Sequence, residues 1–404
     1  MALYSAEEAA DRAGVSGDYF NELVALKLLT PDADGNFSEG DARRAASLHA
    51  ITSSGIPLQT FAQIAGRMNL DFMDSPVYER FASISRETFA DVSARTGVPF
   101  ELLATIRETL GAPSPAPDDR MRDQELQVVP FLELVIQGGS NPQTLDRMVR
   151  VMGDSLRRIA ETEADWYYHE VLLPQQAREA ERGDSGNAGI EPDDSQELDV
   201  YIDRAILAMY HGQQGRTWMG NVIRTAGLQV SDAGLMDTPH RPPGICFLDI
   251  TGYTRLTQER GDAAAAALAD ELARLVQRTS GQHGGRPIKW LGDGVMFYFD
   301  DPVKGVVAAL EMVEGVAASG LPPAHVGLDC GPVTFQQGDY FGQTVILASR
   351  IADFARPGEV VVSETVVSAA AGQAVGFTEI GPVELKGVSG AVRLFSARRA
   401  KAES

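Results

Sequence analysis

The feature that most constrains this chain is a break at Asp237-Thr238-Pro239-His240-Arg241-Pro242-Pro243-Gly244. Proline fixes φ and lacks an amide donor, so neither a helix nor a central strand runs through such a stretch. The texture differs on its two sides. Upstream, Leu145, Met148, Val149, Met152, Leu156 and Ile159 recur at steps of three and four, one stripe of an amphipathic helix. Downstream, Ile245-Cys246-Phe247-Leu248-Asp249-Ile250 is a continuous apolar strand with one carboxylate near its end. The 404 residues suffice for two or three domains. The expected boundaries are a helical domain at 1–118, a second helical region at 119–236, a linker at 237–243 and an α+β domain at 244–404.

Charge and cysteine content exclude several function classes. Asp and Glu number 56 against 35 Lys and Arg, a net charge of −21. That balance argues against a general polyanion binder, because nucleic-acid affinity comes mostly from neutralising phosphates. No apolar run reaches bilayer length, and the N-terminus MALYSAEEAADR has no basic and apolar leader. A cytoplasmic protein without a membrane partner is expected. The two cysteines, Cys246 and Cys330, exclude a disulfide framework and a cysteine-rich zinc site.

The first 115 residues predict short helices. Ser5 with Glu8 three residues on is a capping box. Gly14-Val15-Ser16 is a turn, Asp18–Leu29 a second helix, Thr30–Gly35 a turn cluster suited to a small wing, and Gly55-Ile56-Pro57-Leu58 introduces a fourth helix. This order resembles the winged helix-turn-helix of mercury-resistance-regulator (MerR) type over about 65 residues. Where DNA-binding members carry arginines, this chain has Asp18-Tyr19-Phe20-Asn21-Glu22, and residues 1–50 hold nine acids against four bases. The expectation is a fold kept for packing or protein contacts, without specific DNA binding. Asp119–Glu125 is charged and expected to end the first unit. Residues 179–198 predict an exposed loop, and Val200–Tyr210 another helix.

Beyond Gly244 the pattern alternates. A long alanine-rich helix is expected over about Tyr253–Thr279. Strands at 286–291 and 295–299 flank Gly292-Asp293-Gly294, a strong hairpin signal. A helix at 301–318, a strand at 324–330, a helix at 341–355, a strand at 359–362 and two late strands follow. This is an α+β pattern, a sheet covered by helices. Asp249 ends a buried strand and Asp293 sits in the hairpin turn. Paired carboxylates beside glycines suit Mg²⁺ or Mn²⁺ completed by substrate phosphates.

Four stretches in order, FLDITGYTRLT, KWLGDGVMFYF, GDYFGQTVILASRIADFARPGEVVVSE and ELKGVSGAVRLF, resemble the class III nucleotidyl cyclases across 244–396. The resemblance implies a ferredoxin-like βαββαβ core, head-to-tail homodimers and two Mg²⁺ or Mn²⁺ ions per active site. It implies that Asp249, Asp293 and the Ile250 carbonyl hold the metals. Lys289 and Asp339 match the pair that recognises adenine, Arg350 the transition-state arginine, and Lys386 a lysine near the triphosphate. ATP is the implied substrate and cyclic AMP with pyrophosphate the products. The whole chain resembles actinobacterial cyclases with a helical N-terminal half, some of which respond to pH. One position departs: where the family carries asparagine four residues before the arginine, this chain has Ile346. The alternative is therefore a degenerate cyclase, a nucleotide-binding signalling module with little turnover.

Overall fold

The computed structural model describes residues 3–65, 70–74, 84–182, 192–235, 241–370 and 375–399. Residues 237–240 of the expected linker and 183–191 of the expected loop lie outside these. The chain divides into two compact units, Met1–Val222 and Ile223–Ser404.

In the first unit, β1 (Leu3–Tyr4), α1 (Ala6–Ala13), α2 (Gly17–Ala25), β2 (Phe37–Ser38), α3 (Glu39–Ser53) and α4 (Leu58–Ala65) enclose a core containing Phe20, Leu23, Phe37 and Leu48. The capping box at Ser5 forms: the Glu8 amide donates to Ser5 Oγ at 3.3 Å and the Ser5 amide to Glu8 Oε2 at 3.0 Å. A second core, with Phe89, Leu103, Met121 and Leu132, lies among β3 (Ile84–Thr88), α5 (Phe89–Thr96), α6 (Phe100–Thr109), β4 (Arg120–Arg122), α7 (Asp123–Gln137) and α8 (Pro142–Trp166).

Two expectations change here. The charged stretch at 119–125 holds a strand, because β4 pairs antiparallel with β3 and α7 begins at Asp123. Its charges are used locally: Glu125, almost fully buried, accepts two hydrogen bonds from Arg107, at 2.7 and 2.8 Å. Leaving either charge unpaired there would be strongly destabilising. Likewise, the described parts of 179–198 are helical. A π-helical turn (Tyr167–Leu172) leads into α9 (Leu173–Arg182), and α10 runs from Pro192 to Asp232, taking in the shorter helix expected at 200–210.

The second unit is built on a seven-stranded sheet of order β12-β13-β11-β8-β5-β7-β6. Its elements are β5 (Gly244–Ile250), α11 (Tyr253–Arg260), α12 (Asp262–Gln282), β6 (Gly285–Leu291), β7 (Gly294–Phe299), α13 (Pro302–Ala318), β8 (Ala324–Cys330), β9 (Thr334–Gln336), β10 (Asp339–Phe341), α14 (Gln343–Phe354), β11 (Val360–Ser363), α15 (Glu364–Ala369), β12 (Val375–Glu384) and β13 (Ala391–Arg399). The β8-β5-β7-β6 portion is the expected βαββαβ core. The alanine-rich segment is two helices, not one: Gly261 (φ 82°, ψ 169°) leaves the helical region and separates α11 from α12.

Side chains alternate along β5 as a strand requires. Cys246, Leu248 and Ile250 enter a core covered by α12 and α13. Ile245 packs on the opposite face with Met296, Tyr340 and Ala348. Asp249 shares the parity of Ile245 and Phe247, so it faces the α14 side. That helix lies close because Gly327 has no side chain: a Cβ there would sit 2.0 Å from the Ala352 nitrogen.

Candidate active site

Asp249 is the last residue but one of β5, opposite Gly294 on β7 and His325 on β8. The pairing with Gly294 puts Asp293, the preceding turn residue, beside it. Partial burial and then the Asp293 charge hold the Asp249 carboxyl above its ordinary range. His325, with Nε2 3.6 Å from Asp249 Oδ2, and the Ile250 amide pull in the opposite direction. The His325 ring is itself tethered, with Nδ1 3.3 Å from Thr251 Oγ1. His325 escaped sequence reasoning because nothing local marks it. It comes opposite Asp249 only through the antiparallel register of β5 and β8.

Two like charges at one strand tip repel, and a cation between them relieves that repulsion. Among the described residues no three of His, Cys, Asp and Glu converge on one point. The donor set is thus two carboxylates with room for further oxygen ligands, which fits a hard divalent ion completed by phosphate and water.

On the same sheet face, Lys289 of β6 forms an ion pair with Asp339 of β10. The other Asp339 oxygen accepts from the Tyr340 amide at 2.8 Å. Arg350 lies on α14 and pairs with Asp353 at 2.8 Å, and the Asp353 charge also reaches Asp249. Asp353, near the C-terminal end of α14, therefore lies within electrostatic reach of Asp249.

Residues 236–397 match the family described as the adenylate and guanylate cyclase catalytic domain. The C-terminal unit carries a class III cyclase domain. The chain is 29% identical over 323 residues to a pH-sensitive adenylate cyclase of Mycobacterium tuberculosis, covering 76% of this chain and 77% of that protein. That similarity extends well beyond the cyclase domain. It is 32% identical over 149 residues to an adenylate cyclase of Streptomyces coelicolor, 37% of this chain and 39% of that one. Among solved structures it is similar to the adenylyl cyclase CyaB from P. aeruginosa, at 22% identity and a TM-score of 0.36 over 41% of this chain and 97% of that chain.

Lys386 is exposed in the turn between β12 and β13. Its neighbour Leu385 packs with Ile351 and Ala355, which sets that turn beside α14. Ile346 is 54% exposed. It sits one helical turn before Arg350 and shares its face, so it is not a core residue. Thr344 does not replace the missing amide, because its hydroxyl donates to the Pro332 carbonyl at 3.0 Å.

Proposed function

We propose that this protein is an adenylate cyclase, converting ATP to 3′,5′-cyclic AMP and pyrophosphate in a homodimer formed through the cyclase domain. The observation that carries the reading is the presence, on one face of the sheet, of a mutually repelling carboxylate pair and, separately, a Lys–Asp pair. The first suits polyphosphate with divalent metal and the second suits adenine. Exposed apolar side chains near the latter, Trp290, Phe335 and Phe341, support a second copy seated on that face. In the head-to-tail pairing typical of the family, the metal end of one subunit meets the base-reading end of the other.

In this reading Asp249, Asp293 and the Ile250 carbonyl would hold two Mg²⁺ or Mn²⁺ ions, whose chemistry, when bound, would be to acidify the ribose 3′-hydroxyl and neutralise phosphate charge. The Lys289 ammonium donates to adenine N1, and Asp339 accepts from the exocyclic amine. The 3′-hydroxyl gives its proton to water and its oxygen bonds to the α-phosphorus, as the bond from that phosphorus to the bridging oxygen breaks and the oxygen leaves with pyrophosphate. Arg350 spreads positive charge over the phosphate oxygens as pyrophosphate leaves, which requires it to exchange Asp353 for the nucleotide. Lys386 approaches the triphosphate. Measuring cyclic AMP made by the purified protein with Mg²⁺ or Mn²⁺, against Asp249→Ala and Asp293→Ala, tests the proposal.

The second reading, a nucleotide-binding module with little turnover, is favoured by exposed Ile346 beside Arg350. The helical region is proposed as regulatory. Residues 1–118 act as a winged helix-turn-helix-like domain used for protein contacts, with no specific DNA binding, and 119–236 supply a further dimer contact. ATP as substrate places the work in the cytoplasm. Among the described residues no helix is long and apolar enough to cross a membrane.

A further inference from the structure

Asp339 sits on the β9–β10 hairpin, whose strands pair, among the described residues, only with one another. Its two-residue turn has Gln337 and Gly338 both at positive φ, 54° and 76°, as a tight hairpin prefers. A lone two-stranded hairpin is nevertheless marginal in water, and among the described residues no ladder bond ties this one to the seven-stranded sheet. Tyr340 is what holds it. The side chain is buried among Ile245, Met296 and Ala348, and its ring stacks on Tyr298 at 4.5 Å and 19°. Its hydroxyl accepts from Arg286 Nη2. The Arg286 guanidinium in turn lies 4.5 Å from the centre of the Tyr298 ring.

Strand β6 is bent to this purpose. Arg286 and Lys289 are three apart, and a regular strand would aim them at opposite faces. The ladder shifts register between Pro287 and Lys289, so Arg286 lies opposite Tyr298 and Lys289 opposite Met296. Tyr298 and Met296 are two apart on β7 and share a face, so the bulge brings both cations to one side. Two successive residues of β10 are then gripped from β6: Tyr340 by Arg286 and Asp339 by Lys289.

We infer that Arg286, Tyr298 and Tyr340 form a positioning stack that fixes Asp339 relative to Lys289 and so sets the discrimination between adenine and guanine. The inference rests on the adenylate cyclase reading and deepens it. An ammonium and a carboxylate do not by themselves exclude guanine. Displaced sideways, the same pair donates to guanine O6 and accepts from its N1–H. Only a fixed placement, with the ammonium at N1 and the carboxylate at the six-position amine, leaves guanine's groups mispaired, and mispaired polar groups in a site built for hydrogen bonding are what reject a wrong substrate.

The test uses the full chain with Mn²⁺, comparing ATP and GTP affinities by competition and following hydrogen exchange of amides 334–341. Arg286→Leu and Tyr340→Leu should lower the ATP-over-GTP affinity ratio roughly 3–10-fold, speed hairpin exchange, and leave the Mn²⁺ midpoint unchanged. Tyr340→Phe, which keeps the ring, should lose less. Faster hairpin exchange with an unchanged ratio overturns the selectivity role, and unchanged exchange overturns the stack as an anchor. Should Tyr340→Leu not fold, Arg286→Leu, at an exposed position, decides alone. A wild-type protein without ATP preference, or one whose preference survives Lys289→Ala, sinks the adenylate reading and the selectivity role with it. The exchange data would still show whether the stack holds the hairpin.

Discussion

In the cyclase domain, helices α12 and α13 cover one face of β5, β7 and β8, and α14 with the β9–β10 hairpin covers the other, so most apolar residues of these three central strands are buried. Along α8 and α10 the apolar residues meet solvent instead. Leu145 and Val149 are buried, but Met148, Met152, Leu156 and Ile159 continue the same stripe exposed, and on α10 Met209 and Trp218 are 65% and 67% exposed. The physical difference is dimensional. A sheet presents two broad faces that its own connecting helices cover on the way back. A long helix presents a narrow stripe, and its own neighbours cover only the part they reach. Each uncovered large apolar side chain forgoes about 1.5–3 kcal/mol of burial, and a contiguous exposed stripe marks a surface that meets a partner. The candidate site thus sits in a unit whose central strands are covered by their own connecting helices, and the proposed control region in one whose long helices are left partly uncovered.

The largest expected effect probes the covered sheet. Asp249→Ala or Asp293→Ala should lower cyclic AMP formation by at least ~10³-fold while circular dichroism of the full chain stays unchanged. Wild-type activity in either variant would remove the site. Next is Ile346→Asn. A positioned hydrogen bond to the ribose is worth ~10²–10³ in rate, so turnover should rise toward that factor with little change in nucleotide affinity. A wild-type rate already fast, and not raised by the change, would show that another group orients the ribose.

The third prediction moves to the open stripe. Met152→Glu with Leu156→Glu should weaken self-association of the full chain about tenfold or more in sedimentation, leaving the thermal unfolding of the cyclase domain as it was. Unaltered association would leave the cyclase face as the sole dimer contact. The smallest effect concerns stability. The Asp249 carboxyl is raised in the folded state, so its ionisation is harder there than in the unfolded chain. The resulting cost is absent below the ordinary carboxylate range and complete once pH exceeds the raised value. Without metal, Asp249→Asn should therefore raise the melting temperature slightly at neutral pH and not at pH ~3. A lower melting temperature at neutral pH would contradict the assigned cause.

Much of the local structure was legible in the residues. The capping box at Ser5, the apolar run 245–250 and the Gly292-Asp293-Gly294 turn each carry their signal within a few neighbours, and all three form. The helix break at Gly261 was missed, since one glycine in an alanine-rich run signals only a modest penalty. The helical ends of the segment 179–198 were missed because its polar composition is shared by loops and by solvated helices.

The chain's order of residues by itself determined the helical character upstream of residue 237, the strand and turn positions from residue 244 onward, and the residue types at the candidate site. Only the tertiary structure decided that His325 stands against Asp249, that a bulge turns Arg286 and Lys289 to one face, and that Ile346 is exposed beside Arg350. Turn chemistry and apolar period depend on residues a few positions apart. Register between β5 and β8, or contact between β6 and β10, joins segments dozens of residues apart, and depends on how whole faces pack.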